Sequence, residues 1–285
     1  MKFKYLFLLS LLGSSCQQPR EQDNTADEAT RYITAGGTIT EIVAGLGFDG
    51  QIIATDITST YPAAMQDLPS IGYRNQIKAE GILSIGADVV LAEKDYLNPE
   101  VVEQLKSAQV EVRVFAKPMR VEETYQLIEE LSRYLSAPEA GERMKEELER
   151  DIEELGAYKA KHTDGAKIAF VMTRGPETVF LAGEETFADA LFELAGMENT
   201  ARGFDDFIPL SPEALINMNP EYLLLFESGL ATLGGIEGVG NIKGITETAA
   251  YQKGNIIAMD GNYISGFGPR VGEAALELAK AVNGE

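Results

Sequence analysis

The chain has 285 residues, with 24 Lys and Arg against 45 Asp and Glu, one histidine and one cysteine. A formal charge of −21 makes nucleic acid an unfit partner, because affinity for it comes from neutralised phosphates, and favours basic partners instead. One cysteine forbids a disulfide framework or thiolate cluster, and the lone His162 forbids the multi-histidine sites of zinc and copper proteins.

The chain opens on MKFKYLFLLSLLGSSC, a basic start, an apolar run from Tyr5 to Leu12 and a small-residue stretch ending at Cys16. The run is too short to span a bilayer and reads as an export signal. Cys16 stands where bacterial lipoprotein signals place their cysteine, so cleavage before it and lipidation of its thiol are expected. The alternative is a plain signal cut nearby, with Cys16 incidental. Residues 17–30 are polar, lack apolar periodicity and fit a flexible tether. About 255 residues follow, enough for one large or two modest cores.

Residues 31–81 read as strand, glycine turn, helix, strand, and then a long polar loop with Tyr73 at its tip. That loop follows the carboxyl end of a strand, where open α/β sheets place their ligands. A phenol beside a guanidinium, Tyr73 next to Arg74, suits a hard ferric centre or an anionic ligand better than acid–base turnover.

Residues 138–161 carry Met144, Leu148, Ile152, Leu155 and Tyr158 at three- and four-residue steps, one apolar stripe on a charged helix. Pro138 suits its first turn. It reads as a rigid connector between lobes or as an ordinary amphipathic helix on one sheet face. On either side the same pattern recurs: 79–91, AEGILSIGADVVL, and 212–224, PEALINMNPEYLL. At an offset of 133, Glu80 meets Glu213, Ile82 meets Leu215, Leu83 meets Ile216 and Leu91 meets Leu224. Both halves alternate apolar strands with helices, which predicts an α/β fold of two Rossmann-like lobes with parallel sheets joined by one long helix, the ligand cleft lying between the lobes. The expected division is 1–15 signal peptide, 16–30 lipidated tether, 31–137 N-terminal lobe, 138–162 connecting helix and 163–285 C-terminal lobe. The glycine-rich run 233–244 is not a dinucleotide fingerprint, since no strand runs into it and no helix opens there. It is expected as a mobile cleft-rim or surface loop, and a secreted Rossmann-type enzyme is accordingly disfavoured.

The ordered motifs AGG-T-ITEIV-GLG, D-TSTYP, LP-IGY, AEGILS, TFADAL, PLSPEAL, NPEYLL and GFGPR resemble the haem-binding substrate-binding proteins of bacterial ABC importers. These stand within a wider group that also carries cobalamin and ferric siderophores, which remain the alternative cargo. The resemblance runs from Arg31 to the C-terminus. It implies a lipid-anchored periplasmic binding protein, not an enzyme, that works as a monomer and hands haem to permease subunits.

The resemblance makes Tyr73 the haem iron ligand, with Tyr61 in reserve. Ferric iron deprotonates a phenol, phenolate is a known axial haem ligand, and a cation such as Arg74 favours it. Many relatives have arginine two residues after the tyrosine, where this chain has Asn75. Some relatives supply a histidine where Arg174 stands here, so a five-coordinate iron is expected. Arg174 then contacts the phenolate or a propionate, or is a solvated loop residue. Phe267 in GFGPR is expected to stack on the ring, and Arg270 to pair with a propionate or to hold structure. Glu80 and Glu213 are expected to dock arginines of the permease, or to stabilise their helix starts. No other metal is expected.

Overall fold

The computed structural model describes residues 29–162 and 165–285; the expected export signal and Cys16 lie outside the described residues, as does most of the expected tether. In chain order the N-terminal half comprises β1 (Tyr32–Ala35), α1 (Gly37–Val43), β2 (Ile52–Thr55), α2 (Ala79–Ile85), β3 (Val89–Glu93), α3 (Pro99–Ser107), β4 (Glu111–Phe115) and α4 (Val121–Tyr134). α5 (Pro138–Lys159) follows. The C-terminal half has β5 (Lys167–Thr173), β6 (Val179–Ala182), α6 (Phe187–Ala195), β7 (Glu198–Asn199), β8 (Phe207–Pro209), α7 (Pro212–Met218), β9 (Tyr222–Phe226), α8 (Glu227–Thr232), α9 (Ala249–Lys253), β10 (Ile256–Met259), α10 (Gly261–Ser265) and α11 (Val271–Val282).

β1 to β4 form a parallel sheet in the order β2-β1-β3-β4. The second sheet runs β10-β9-β5-β6-β8, with β7 beside β5. Here the all-parallel expectation needs correction, because β6 pairs antiparallel with β5 and β8 with β6. The cause is legible in TRGPET: Gly175 and Pro176 turn the chain back, with the Arg174 and Thr178 backbones bonded across the turn.

The repeat holds residue for residue. α2 and α7 are 133 apart at both ends, and so are β3 and β9. Ile82 and Leu215 are both fully buried, and Gly86 and Asn219 both end their helices in the left-handed conformation. Each sheet has a hydrophobic cluster on its outer face, one around Val90 and Leu105 and one around Leu223 and Val239. A third cluster joins the lobes: Ile39, Ile128, Leu148, Phe170, Leu191 and Leu278 belong to one buried set. α5 buries Met144, Leu148 and Leu155 within it, packed on α4 from one lobe and α11 from the other. The stripe is therefore shared between lobes rather than laid on one sheet face, and α5 spans about 33 Å at 1.5 Å per residue.

The glycine-rich run lies at the surface with a packed inner side. Ile236–Asn241 forms a short 3-10 turn, Val239 and Ile242 are buried, and a side chain at Gly238 would collide with the Leu233 carbonyl. Gly238, Gly240 and Gly244 serve close packing, while Gly234 and Gly235 supply positive φ with open space around them.

Candidate functional site

The segments that follow the carboxyl ends of β1 and β10 meet, close enough that a side chain at Gly37 would collide with Asn262. The segment after β10 crosses to the N-terminal lobe and is fastened there three times. Thr38 Oγ1 donates to the Gly266 carbonyl at 2.8 Å, and Thr124 Oγ1 to the Phe267 carbonyl at 2.7 Å. Arg270 donates from Nε to Glu41 Oε1 at 2.7 Å and from its Nη2 to Oε2 at 3.0 Å, a bidentate pair with Glu41 buried. Burial pushes the Glu41 carboxyl up, and the arginine's hydrogen bond and charge pull it back. The Arg270 guanidinium also lies 3.5 Å from the centre of the Tyr61 ring and 4.8 Å from that of Tyr263.

The Tyr73 loop is tied to the extension of β2. Ile71 N–H donates to the Thr55 carbonyl at 2.9 Å, Thr55 N–H to the Pro69 carbonyl at 3.1 Å, and Ile57 N–H to the Gly72 carbonyl at 3.1 Å. Gly72 takes φ +103°, where a side chain would be strained, and delivers the chain to Tyr73. Tyr73 is half-buried, and its hydroxyl makes no hydrogen bond among the described residues. Arg74 is exposed, its guanidinium 6.0 Å from the Tyr73 ring centre and 5.0 Å from that of Tyr96. Tyr96 is buried and pushed up to about 12, first by burial and then by the Glu93 charge. Of the two phenols under Arg74, Tyr73 is therefore the one able to meet a ligand.

Beneath this loop, carboxylates from two strand ends close the start of α1. Asp56 accepts from Gly36 N–H at 2.7 Å, and Glu93 from Thr38 N–H at 3.0 Å. Asp56 also takes the Ser59 hydroxyl at 2.6 Å and the Thr58 hydroxyl. Nucleotide-binding α/β folds hold phosphate at this place; here the protein's own acids fill it. Glu93 is pushed up by burial, opposed by the charge of half-buried Lys117 and the bond from Thr38, with Asp56 adding to the rise.

That shift has a testable sign. A carboxyl with a raised folded pKa holds more protons folded than unfolded, so stability declines as pH rises from the ordinary 4.5 through the folded value. Glu93→Gln keeps the acceptor for Thr38 N–H and does not titrate. Its melting temperature should gain on wild type as pH climbs through that window and then hold a constant lead. A difference independent of pH would remove Glu93 from this role.

The C-terminal wall differs in kind. The repeat puts Phe226 where the first lobe has Glu93, and Phe226, Phe187, Phe207 and Phe170 make an aromatic group with ring centres 4.7 to 6.3 Å apart. Phe207 and Phe226 stay part-exposed. A hollow of about 830 Å³ between the turn before α4 and the start of α6 is lined by Lys117, Met119 and Arg120 from one lobe and Glu185 and Asp189 from the other. Tyr73 does not line it, so this is not the space in front of the phenol.

Arg174 stands exposed at the hairpin tip between β5 and β6. Glu80 and Glu213 are exposed in the first turns of α2 and α7, and Ser211 Oγ donates to Glu213 at 3.0 Å. Phe267 corrects its expectation: the residue is only 1 % exposed and belongs to the shared core, with φ +48° and its carbonyl accepting from Thr124 Oγ1. His162 stacks on Tyr158 at 4.3 Å near the end of α5. Asp56, Glu93 and Glu41 were missed in the sequence. Their signal was an acid ending an apolar strand, as in IIATD and VVLAE, or set within an apolar helix, as in ITEIV.

Two α/β lobes sharing a long helix, with a pinned loop after the strand end of β2, have the architecture of a bilobed binding protein. The sequence profile of the family described as periplasmic binding protein matches residues 33–263, and the chain belongs to that family. Among solved structures it is similar to the periplasmic haem-binding protein RhuT from Roseiflexus sp. RS-1 in apo form (33 % identity, 88 % of this chain and 97 % of that chain, TM-score 0.85). It is also similar to the periplasmic haem-binding protein BhuT in complex with two haems (30 % identity, 89 % and 98 %, TM-score 0.84). Among curated proteins, an ABC transporter substrate-binding lipoprotein YvrC of Bacillus subtilis is 22 % identical over 259 residues, 90 % of this chain and 80 % of its own. A vitamin B12-binding protein of Vibrio parahaemolyticus is 24 % identical over 251 residues, 88 % of each. This is a family of substrate-binding transport proteins, not of enzymes.

Proposed function

We propose that the protein captures haem between its lobes and delivers it to the permease of an ABC importer, held at the membrane outside the cytoplasm by a lipid on Cys16. The observation that carries the reading is the half-buried phenol of Tyr73, its hydroxyl free of hydrogen bonds among the described residues, on a pinned loop at the cleft ends of the strands. Tyr73 supplies the oxygen for ferric iron, and the Arg74 guanidinium lies 6.0 Å from its ring centre. The part-exposed aromatic wall around Phe226 suits the flat face of a porphyrin, and Arg174, exposed at the hairpin tip, is the candidate partner for a propionate. Arg270 is committed to Glu41 and serves structure. The haem-binding solved relatives at 33 % and 30 % identity support the same cargo.

The curated vitamin B12-binding relatives favour a second reading, cobalamin in the same cleft. Titrating the purified protein with hemin and with aquocobalamin separates the two. A Soret band saturating at one or two equivalents of hemin is expected; saturation by cobalamin with no hemin spectrum would transfer the assignment.

Glu80 and Glu213 serve as the permease contacts, one per lobe and exposed. Reversing either to lysine should weaken docking by about 2 kcal/mol or more, roughly 30-fold. Hemin uptake by cells should then stop in the double variant while hemin affinity in solution is unchanged. Uptake that survives both changes would leave the acids with a helix-end role alone.

A further inference from the structure

The repeat duplicates more than the two acids. Three residues beyond Glu80 and Glu213, on the same helix face, stand Leu83 and Ile216, each 40 % exposed. The core requires only their neighbours Ile82 and Leu215, which are fully buried in both copies. Single exposed apolar side chains are ordinary. Of the large ones left exposed among the described residues, however, Leu83 and Ile216 are the sole pair that the 133-residue offset relates. The same acid-plus-apolar pair thus stands exposed at matched positions on the two lobes.

We infer that each lobe presents a two-part docking point, Glu80 with Leu83 and Glu213 with Ile216, and that the partner is a permease offering two equivalent sockets, each a cation beside an apolar side chain. This rests on the docking reading above and deepens it. The acids match a basic socket, and the chain's charge of −21 steers a basic partner from a distance. Covering the neighbouring apolar side chain excludes water from the ion pair, which strengthens it and slows dissociation. The division of labour is chemical: the charges govern association and its salt dependence, and the apolar residues govern residence time.

The test uses the hemin-free full chain and the importer in nanodiscs, with binding rates measured at low and high salt. Leu83→Ser and Ile216→Ser should each raise the dissociation rate by roughly five- to tenfold, and the double variant by the product. Association rate and salt slope should not change. Leu83→Met and Ile216→Met should behave as wild type, and so should Val114→Ser, whose target is exposed but outside the repeat. Unchanged dissociation in both serine variants, or an effect on one lobe only, overturns the inference. Failure of the wild type to bind the nanodisc overturns it together with the docking assignment. Hemin titration of the same variants reads the cargo separately: a wild type blind to hemin whose serine variants still leave the importer faster would sink haem and keep the docking point.

Discussion

Tyr73→Phe is expected to remove the ferric phenolate signature of the hemin complex and to weaken hemin binding by about 100-fold, the upper end of what losing a mere supporting partner of a metal ligand costs. The substitution takes away one oxygen and leaves the ring. Phenylalanine keeps the half-buried packing and the face that Arg74 overlies, so the loop ties at Thr55, Ile57 and Ile71 are undisturbed. The readout is the charge-transfer region of the absorbance spectrum together with the dissociation constant. Tyr61→Phe is the matched control. Its ring is 43 % exposed but held against the Arg270 guanidinium, and its oxygen is expected to be dispensable. If the signature survives in Tyr73→Phe and vanishes in Tyr61→Phe, the ligand is the other phenol of the loop. If it survives in both, neither phenol binds iron.

The second large effect concerns stability. Arg270→Met should cost about 3–5 kcal/mol, because it strands the Glu41 carboxylate in the shared core without a partner. In a chain of this size that is a fall in melting temperature of roughly 10 °C. The double change Glu41→Leu with Arg270→Met should recover most of the loss, since apolar replacement of a buried pair is commonly near neutral. The pH dependence has a definite sign. Burial already raises the Glu41 carboxyl, and losing the arginine raises it further, so the folded variant takes up its proton at higher pH than the unfolded chain. The deficit of Arg270→Met should therefore shrink as pH falls toward the ordinary carboxylate value of 4.5. A deficit that stays constant, or a double variant as weak as the single, would show that the pair does not carry the strap. Calorimetry across pH measures both.

The elements most legible in the sequence were those specified by neighbours in the chain. The offset of 133 was readable from Glu80, Ile82, Leu83 and Leu91 against Glu213, Leu215, Ile216 and Leu224. It reappears in the bounds of α2 and α7 and of β3 and β9, because helix starts, buried positions and caps are decided within a few residues. α5 was likewise announced by its stripe. What the stripe would pack against was not, because a face of Met144, Leu148 and Leu155 satisfies one lobe as well as two. GFGPR misled for the same reason. Its glycines and phenylalanine suggest an open loop over a flat ligand, but Phe267 is buried in the shared core with its carbonyl bonded by Thr124, 143 residues away; Arg270 takes the structural of its two expected roles, meeting Glu41 across 229 residues.

By itself, then, the sequence determined the class of the molecule: two α/β halves, a helix between them, a phenol-tipped loop after a strand, and one exposed acid per half. Only the tertiary structure decided which polar groups are spent. Asp56 and Glu93 close the start of α1, Glu41 holds Arg270, and Tyr96 is buried, which leaves Tyr73 as the phenol under Arg74 that can meet a ligand. The physical reason is that a side chain's availability depends on burial and on long-range hydrogen-bond partners. Those are set by how the lobes pack, and a local pattern of residues carries no record of it.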